Sequence, residues 1–111
     1  MAHDFETQKA ETFSAFSELQ AANDLPAEAD LDLFFNPSTE GAEWMPLAQA
    51  LADLGFDTQW AEAEGDERAT LIATMPDQLL SASAIWMVEE VATRSALEHG
   101  FTPDGWGFAE V

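Results

Sequence analysis

Proline and glycine residues divide this 111-residue sequence into short segments, and the spacing of apolar residues within each segment predicts its secondary structure. A period near 3.6 residues predicts helices over 4–22, 45–54 and from a point between Asp77 and Ala82 to His99. Strict alternation, or a run rich in strand-forming residues, predicts strands over 31–37, 56–64, 67–75 and 106–111. Gly55 and Gly100 are predicted to end the second and third helices in a left-handed conformation. The predicted order is α-β-α-β-β-α-β.

Without its first helix, this order is that of a ferredoxin-like unit, which consists of two β-α-β halves. The segments Ala50–Thr58 and Ala96–Thr102 both end a helix with Gly-Phe before a strand, as expected for such a repeat. We therefore predict an α+β fold, a ferredoxin-like βαββαβ sandwich with an extra N-terminal helix. The prediction is one domain over 1–111, with the helix over about 4–22 and the βαββαβ core over about 30–111.

The apolar pattern also predicts which side chains reach the core. In the first helix the predicted core face holds Phe5, Phe13, Phe16 and Leu19. In the third helix it holds Leu80, Ala84, Met87, Val88, Val91 and Ala92, with Glu89 and Glu90 facing outward. Pro76 is predicted to end the third strand, Gly65-Asp66 to form a hairpin turn, and 102–105 to form a turn before the last strand.

The net charge is the strongest feature of the composition. There are 22 acidic residues against three basic ones, for a formal charge of −19. Direct binding to nucleic acid or to an anionic membrane would oppose this charge, whereas a basic protein partner would be attracted and would associate faster. The acidity is equally consistent with a role in solubility or with adaptation to salt. Because 47% of the residues are hydrophobic, an acidic disordered tail is excluded.

Targeting signals are not evident in the sequence. The N-terminus lacks the basic start and apolar run of a signal peptide, and the apolar runs are too short to span a membrane. The chain has no cysteine, which excludes disulfides, thiolate metal ligands and a cysteine nucleophile. We therefore expect a cytoplasmic protein without membrane contact.

No pattern of residues indicates an enzyme. The sequence lacks the phosphate-binding glycine loops, the Gly-x-Ser-x-Gly elbow and the histidine spacings of zinc sites. Asp30 and Asp32 share one face of a strand and could hold a cation, but the calcium-loop pattern is absent. His3 and His99 are far apart in sequence. We predict no catalytic residues, no metal and no cofactor.

The segment Asp104-Gly105-Trp106-Gly107 is the most distinctive local motif. Trp106 between two glycines can be a packing anchor at the end of the sheet or part of a recognition surface, since tryptophan is enriched in binding hot spots. Trp60 is a second candidate of the same kind. The candidate partner-binding residues are therefore Asp104, Gly105, Trp106, Gly107 and Trp60.

This motif, placed in a final strand after a helix and a Gly-Phe turn, resembles the RraB family of small acidic bacterial regulators of ribonuclease E. Family members carry a similar Tyr-Asp-Gly-Trp-Gly ending, with Pro103 standing here in place of Tyr. Leu51–Asp57, "LADLGFD", resembles the family's central helix-to-strand turn.

The resemblance implies a non-enzymatic protein that binds and inhibits an RNA-processing endoribonuclease, such as ribonuclease E or its degradosome, by protein–protein contact. Electrostatic steering onto a basic segment would precede docking of an apolar patch around Trp106 or Trp60. Two alternatives remain open: an immunity- or antitoxin-like protein that blocks a basic nuclease, and a small-ligand-binding α+β domain. The sequence does not decide between a monomer and a dimer.

Overall fold

A computed structural model describes residues 3–22, 25–39, 41–63 and 69–108. Over these ranges the chain has an α+β fold, as predicted. Its elements, in chain order, are α1 (Phe5–Ala22), β1 (Glu28–Pro37), α2 (Trp44–Asp53), β2 (Asp57–Ala61), β3 (Thr70–Leu79), α3 (Ala82–Glu98) and β4 (Phe101–Phe108).

The four strands form one antiparallel sheet in the order β2-β3-β1-β4. β1 lies in the interior of the sheet, where Leu33 pairs with Ala73 of β3 on one side and with Trp106 of β4 on the other. β3 separates β1 from β2, so the connection through α2 passes over one strand. β2 and β4 are the two edge strands, so Trp60 and Trp106 lie at opposite edges of the sheet.

The core lies between one face of this sheet and the helices. Leu31, Leu33 and Phe35 of β1 are at most 1% exposed, which confirms the alternation predicted from the sequence. They belong to one cluster that includes Leu47 and Leu51 of α2 and several residues of α3 and β3. Full burial of each large apolar side chain contributes about 1.5–3 kcal/mol, so this cluster is the main source of stability.

The ends of α2 and α3 agree with the predictions made from the sequence. Gly55 follows α2 with a φ of 103°, and Gly100 follows α3 with a φ of 78°. At the start of α3, the Ser81 hydroxyl accepts a hydrogen bond from the Ala84 amide at 3.1 Å. Ser81 is therefore the N-cap, which resolves the choice between Asp77 and Ser81.

Several predicted strand boundaries are wrong. β1 begins at Glu28 rather than at Leu31, and β2 spans Asp57–Ala61 rather than 56–64. β3 does not end at Pro76 but continues to Leu79, because its far end pairs with Glu28 and Ala29. An irregularity in the pairing accommodates Pro76 and Asp77, which has a φ of 54°. The Asp77 amide donates to the Asp30 carboxylate at 3.1 Å, which ties this irregularity to the neighbouring strand.

The segment 102–105 is not a turn. It belongs to β4, since Pro103 pairs with Phe35 and Trp106 with Leu33. Asp104 and Gly105 thus oppose the single residue Phe34, which is the arrangement of a β-bulge. Gly105 has a φ of 110°, a conformation that side chains disfavour. The turn-forming residues of this segment therefore serve a bulge rather than a loop.

The predicted faces of α1 and α3 also need correction. In α1, Phe13 is 37% exposed and the buried side chains are Gln8, Thr12 and Phe16. In α3, Met87 and Val91 are exposed and Glu89, predicted to face outward, is buried. The reason is that α3 is covered by the sheet and also by α1, and the contact between the two helices is polar. The predicted hairpin turn at Gly65-Asp66 lies outside the described residues.

Candidate functional site

A buried polar cluster joins α1 to α3. Gln8 donates from Nε2 to Glu89 Oε2 at 3.0 Å and to Thr93 Oγ1 at 3.1 Å. The Thr12 hydroxyl donates to Glu89 Oε1 at 2.5 Å. All four side chains are less than a tenth exposed. Within the described ranges every buried side-chain nitrogen and oxygen has a hydrogen-bond partner. The polar contact between the helices is therefore fully satisfied.

Glu89 is the one ionisable member of this cluster. Burial raises the pKa of its carboxyl, because the charged form loses hydration. The hydrogen bonds from Thr12 and Gln8 favour the charged form and oppose this rise, while the nearby charge of Glu11 adds to it. The site therefore holds a carboxyl group whose ionisation is costly and whose hydrogen-bond donors are all neutral.

A cleft of about 620 Å³ opens beside this cluster. One wall is a face of α1 that includes Gln8, Thr12 and Leu19, and another is formed by Pro103, Gly105 and Trp106 of β4. Glu89 contributes from α3. Clefts of roughly 300–1,000 Å³ with a few convergent polar groups are typical of ligand sites. This cleft is therefore a candidate ligand or partner site, and it is about twice the volume of a second cleft beside Trp44.

The start of α1 completes this cleft. Asp4 accepts hydrogen bonds from the Thr7 amide at 3.0 Å and from the Thr7 hydroxyl at 2.7 Å. The backbone hydrogen bond is the main cause that lowers the pKa of Asp4. His3 lies within hydrogen-bond distance of Gln8, with Nε2 2.5 Å from Oε1. His3 and Asp4 both line the cleft, so its α1 wall extends to the helix N-terminus.

The structure separates the candidate residues of the Asp-Gly-Trp-Gly motif. Gly105 and Trp106 line the cleft, whereas Asp104 and Gly107 do not. Gly107 pairs with Asp32, and a Cβ atom on it would meet Phe34 Cε2 at 3.9 Å, so an aromatic ring covers this glycine. Trp106 is half-buried against the core and also available to the cleft, which makes the packing and recognition interpretations compatible.

Trp60 lies in a different environment, on the opposite edge strand. Its ring stacks on Trp44 with centroids 5.6 Å apart and planes 7° from parallel. It also meets Phe101 edge-on at 6.2 Å. Its indole N–H donates to Glu62 at 3.3 Å. Trp60 and Trp106 therefore belong to two separate surfaces, and one apolar patch does not contain both.

The described residues hold no group of three or more histidine, cysteine, aspartate or glutamate side chains that could bind a metal ion. The pair suggested by the sequence, Asp30 and Asp32, is engaged within the sheet. Asp32 accepts a hydrogen bond from the Thr74 hydroxyl at 2.6 Å, and Asp30 accepts the one from Asp77. Both carboxylates thus act as local supports for strand pairing.

Sequence reasoning missed Gln8, Thr12 and Glu89. A signal was present, since Gln8 and Thr12 are four residues apart and Phe16 follows after four more, on one helical face. Polar side chains on such a face are normally assigned to the surface. These residues can be identified as buried only when a second polar helix face, that of α3, is seen to lie opposite the polar face of α1.

No protein-family model matches this sequence. No curated protein matches it significantly either. In the described part of the chain, no helix combines the length and the apolar character needed to cross a membrane.

Proposed function

We propose that this chain is an RraB-like, non-enzymatic cytoplasmic regulator that binds a basic protein partner and inhibits RNA cleavage. The partner would be an RNA-processing endoribonuclease such as ribonuclease E, or its degradosome. The proposal includes a ferredoxin-like arrangement of the βαββαβ segment. The antiparallel order β2-β3-β1-β4, with each β-α-β unit split by another strand, supports that arrangement.

The observation that carries this proposal is the net charge of −19 on 111 residues. The basic residues in the described ranges are already engaged by other side chains. Arg94 forms an ion pair with Glu90 at 3.3 Å, and Lys9 lies 5.7 Å from the centroid of the Phe13 ring. The net charge already includes all three basic residues, so the protein is strongly acidic and a basic segment would be attracted from a distance.

Binding to the non-catalytic region of ribonuclease E tests the proposal. We expect the purified protein to bind this region, to slow RNA cleavage by the full enzyme, and to lose affinity steeply as salt rises. Replacing one exposed carboxylate by a neutral amide, as in Glu98→Gln, should change affinity little, because many acidic residues contribute to the attraction. Absence of binding at low salt would reject ribonuclease E as the partner.

A second candidate function is small-ligand binding, and the cleft between α1, α3 and β4 favours it. The cleft combines convergent polar groups, a carboxyl group with a raised pKa and an aromatic wall. A screen of small metabolites by thermal shift tests it. A compound that stabilises the protein but not its Glu89→Gln variant would favour this function over the regulator.

A further inference from the structure

The cleft is lined by acidic side chains. Asp4, Glu11 and Glu89 all line it, whereas none of its lining residues in the described ranges is lysine or arginine. His3, next to the start of α1, is the one imidazole among the described residues that line it. A cation that entered this cleft would meet several carboxyl groups and no lysine or arginine side chain among the described lining residues.

The cations of the neighbouring helices are held away from this cleft. The Arg94 guanidinium lies 4.5 Å from the centroid of the Phe5 ring as well as next to Glu90. Arg94 and Glu90 are both largely on the surface of α3. Neither Arg94 nor Lys9 lines the cleft. In the described ranges, neither lysine nor arginine supplies a counter-charge to Glu89, and the one charge that favours its ionised form is that of His3.

Glu89 has acceptor capacity to spare. Each carboxylate oxygen can accept about two hydrogen bonds, and among the described residues each accepts one, from Thr12 or from Gln8. Both donors are neutral, so they compensate only part of the lost hydration of the charge. A charged donor that reached the carboxylate through the cleft would make stronger hydrogen bonds than either.

Trp106 contributes an aromatic side chain to the lining of the cleft. Its ring lies nearly parallel to that of Phe108, with centroids 6.3 Å apart and planes at 19°. Together with Pro103 it forms the β4 side of the cleft. Indole is the best aromatic surface for a cation, and a planar cation can also stack on it.

We infer that this cleft receives the guanidinium group of an arginine side chain from a basic protein segment, with Glu89 as its anion and Trp106 as its stacking surface. The inference rests on the proposed function, in which the partner is a basic protein, and it names the site and the residue type that are recognised. Gln8 and Thr12 hold the Glu89 carboxylate in position and are positioning residues.

Arginine fits this cleft better than lysine for three reasons. Its planar fork can donate two parallel hydrogen bonds to one carboxylate. Its weaker hydration makes it easier to bring into a half-enclosed space than a compact ammonium group. Its flat face can lie on Trp106 while its edge faces the acid, which the ammonium group cannot do.

A titration with short peptides tests the inference on the intact chain. The probes are acetyl-Gly-Arg-Gly-amide, the same peptide with lysine, and the same peptide with citrulline, which keeps the shape of arginine without its charge. Binding is followed by NMR at about 0.15 M salt, where long-range attraction is largely screened. The readouts are the Gln8 side-chain amide and the Trp106 indole N–H, both of which belong to cleft residues.

We expect the arginine peptide to shift both signals saturably, the lysine peptide to bind more weakly and the citrulline peptide to leave them unchanged. Glu89→Gln should weaken binding of the arginine peptide about tenfold, as expected for the loss of a charge-assisted bidentate contact. The matched control is Glu98→Gln, which removes the same charge from an exposed position of the same helix and should stay within about twofold.

The inference is overturned if the arginine and citrulline peptides give the same shifts on the unchanged protein, a comparison that needs no variant to fold. It is also overturned if the two glutamate variants weaken binding equally, since charge alone would then explain it. If free arginine binds the cleft as tightly as the peptide, the occupant is a small guanidinium compound and the protein-segment source is wrong.

Failure of the inference is distinguishable from failure of the proposed function. If the ribonuclease E region binds the unchanged protein and its Glu89→Gln variant equally, the regulator function holds and the cleft is not its docking site. If the arginine peptide binds in the cleft but that region does not bind at all, the cleft assignment holds and the partner is another basic protein.

Discussion

Glu89 is the ionisable residue in the polar contact between α1 and α3. Its folded-state pKa is raised above the ordinary glutamate value of 4.5, so the folded protein holds the proton more tightly than the unfolded chain does. The favourable contribution of this group is therefore complete at pH values below 4.5 and is lost as the pH rises through its folded-state pKa.

The first prediction follows from this pH dependence. As the pH rises from about 4.5 to 7, we expect the difference in free energy of unfolding between Glu89→Gln and the unchanged protein to shift in favour of the variant. The reason is that the variant has no charge to bury. Urea unfolding at several pH values measures this. The control variant Glu98→Gln keeps His3 and Glu11 as they are, so its stability should depend on pH in the same way as that of the unchanged protein. A Glu89→Gln difference that is constant with pH would contradict a raised pKa.

Two glycines of the same motif make a second residue-scale prediction. Gly105→Ala should destabilise the protein by about 1–3 kcal/mol, because a residue with Cβ is strained at its φ of 110° although nothing lies within 4 Å of the new atom. Gly107→Ala should change stability by less than about 1 kcal/mol, since its Cβ would make an ordinary contact with Phe34. Equal costs at the two positions in urea unfolding would rule out the bulge.

At the scale of elements, α1 is held mainly by its contact with α3, and that contact contains few apolar side chains. Phe16 is 4% exposed and belongs to the core, while Phe13, one turn away, is 37% exposed. We expect Phe16→Ala to cost about 3 kcal/mol and to accelerate hydrogen exchange in α1. Phe13→Ala is the control, with an expected cost below about 1 kcal/mol. Similar effects of the two changes would mean that α1 docks in another orientation.

The strands and the ends of α2 and α3 could be predicted from the sequence because each depends on neighbouring residues. Leu31, Leu33 and Phe35 alternate, and Gly55 and Gly100 each follow the C-cap residue of their helix. The bulge in β4 could not, because Asp104-Gly105 has the same local preferences in a turn and in a bulge. Only pairing with β1, far earlier in the chain, distinguishes them.

The cleft was hidden from the sequence for a related reason. Its buried residues are polar, and the apolar spacing that identifies a core face assigns Gln8, Thr12 and Glu89 to solvent. Trp106 could be selected as a candidate because tryptophan between glycines is unusual in a strand. Its neighbours in the cleft depend on how α1 lies against α3, and neither helix sequence specifies that alone.

For the whole molecule, a charge of −19 on one small fold implies self-repulsion. We expect the midpoint of thermal unfolding to rise as sodium chloride increases from about 0.01 M, where the Debye length is about 30 Å, and to level off once that length approaches about 8 Å near 0.15 M. Differential scanning calorimetry measures this. A rise that continues linearly at high salt would indicate salt exclusion from the surface rather than screening.

The pairing of β1 with β4 also has a kinetic consequence. Leu31 pairs with Phe108 and Pro37 with Phe101, so nearly the whole βαββαβ segment lies between the two partner strands. Closing so long a loop has a high entropic cost and makes folding slow relative to the formation of the helices. Since Trp106 gains its position only through this pairing, its fluorescence, in a variant with phenylalanine at the three other tryptophan positions, should report when β4 joins the sheet.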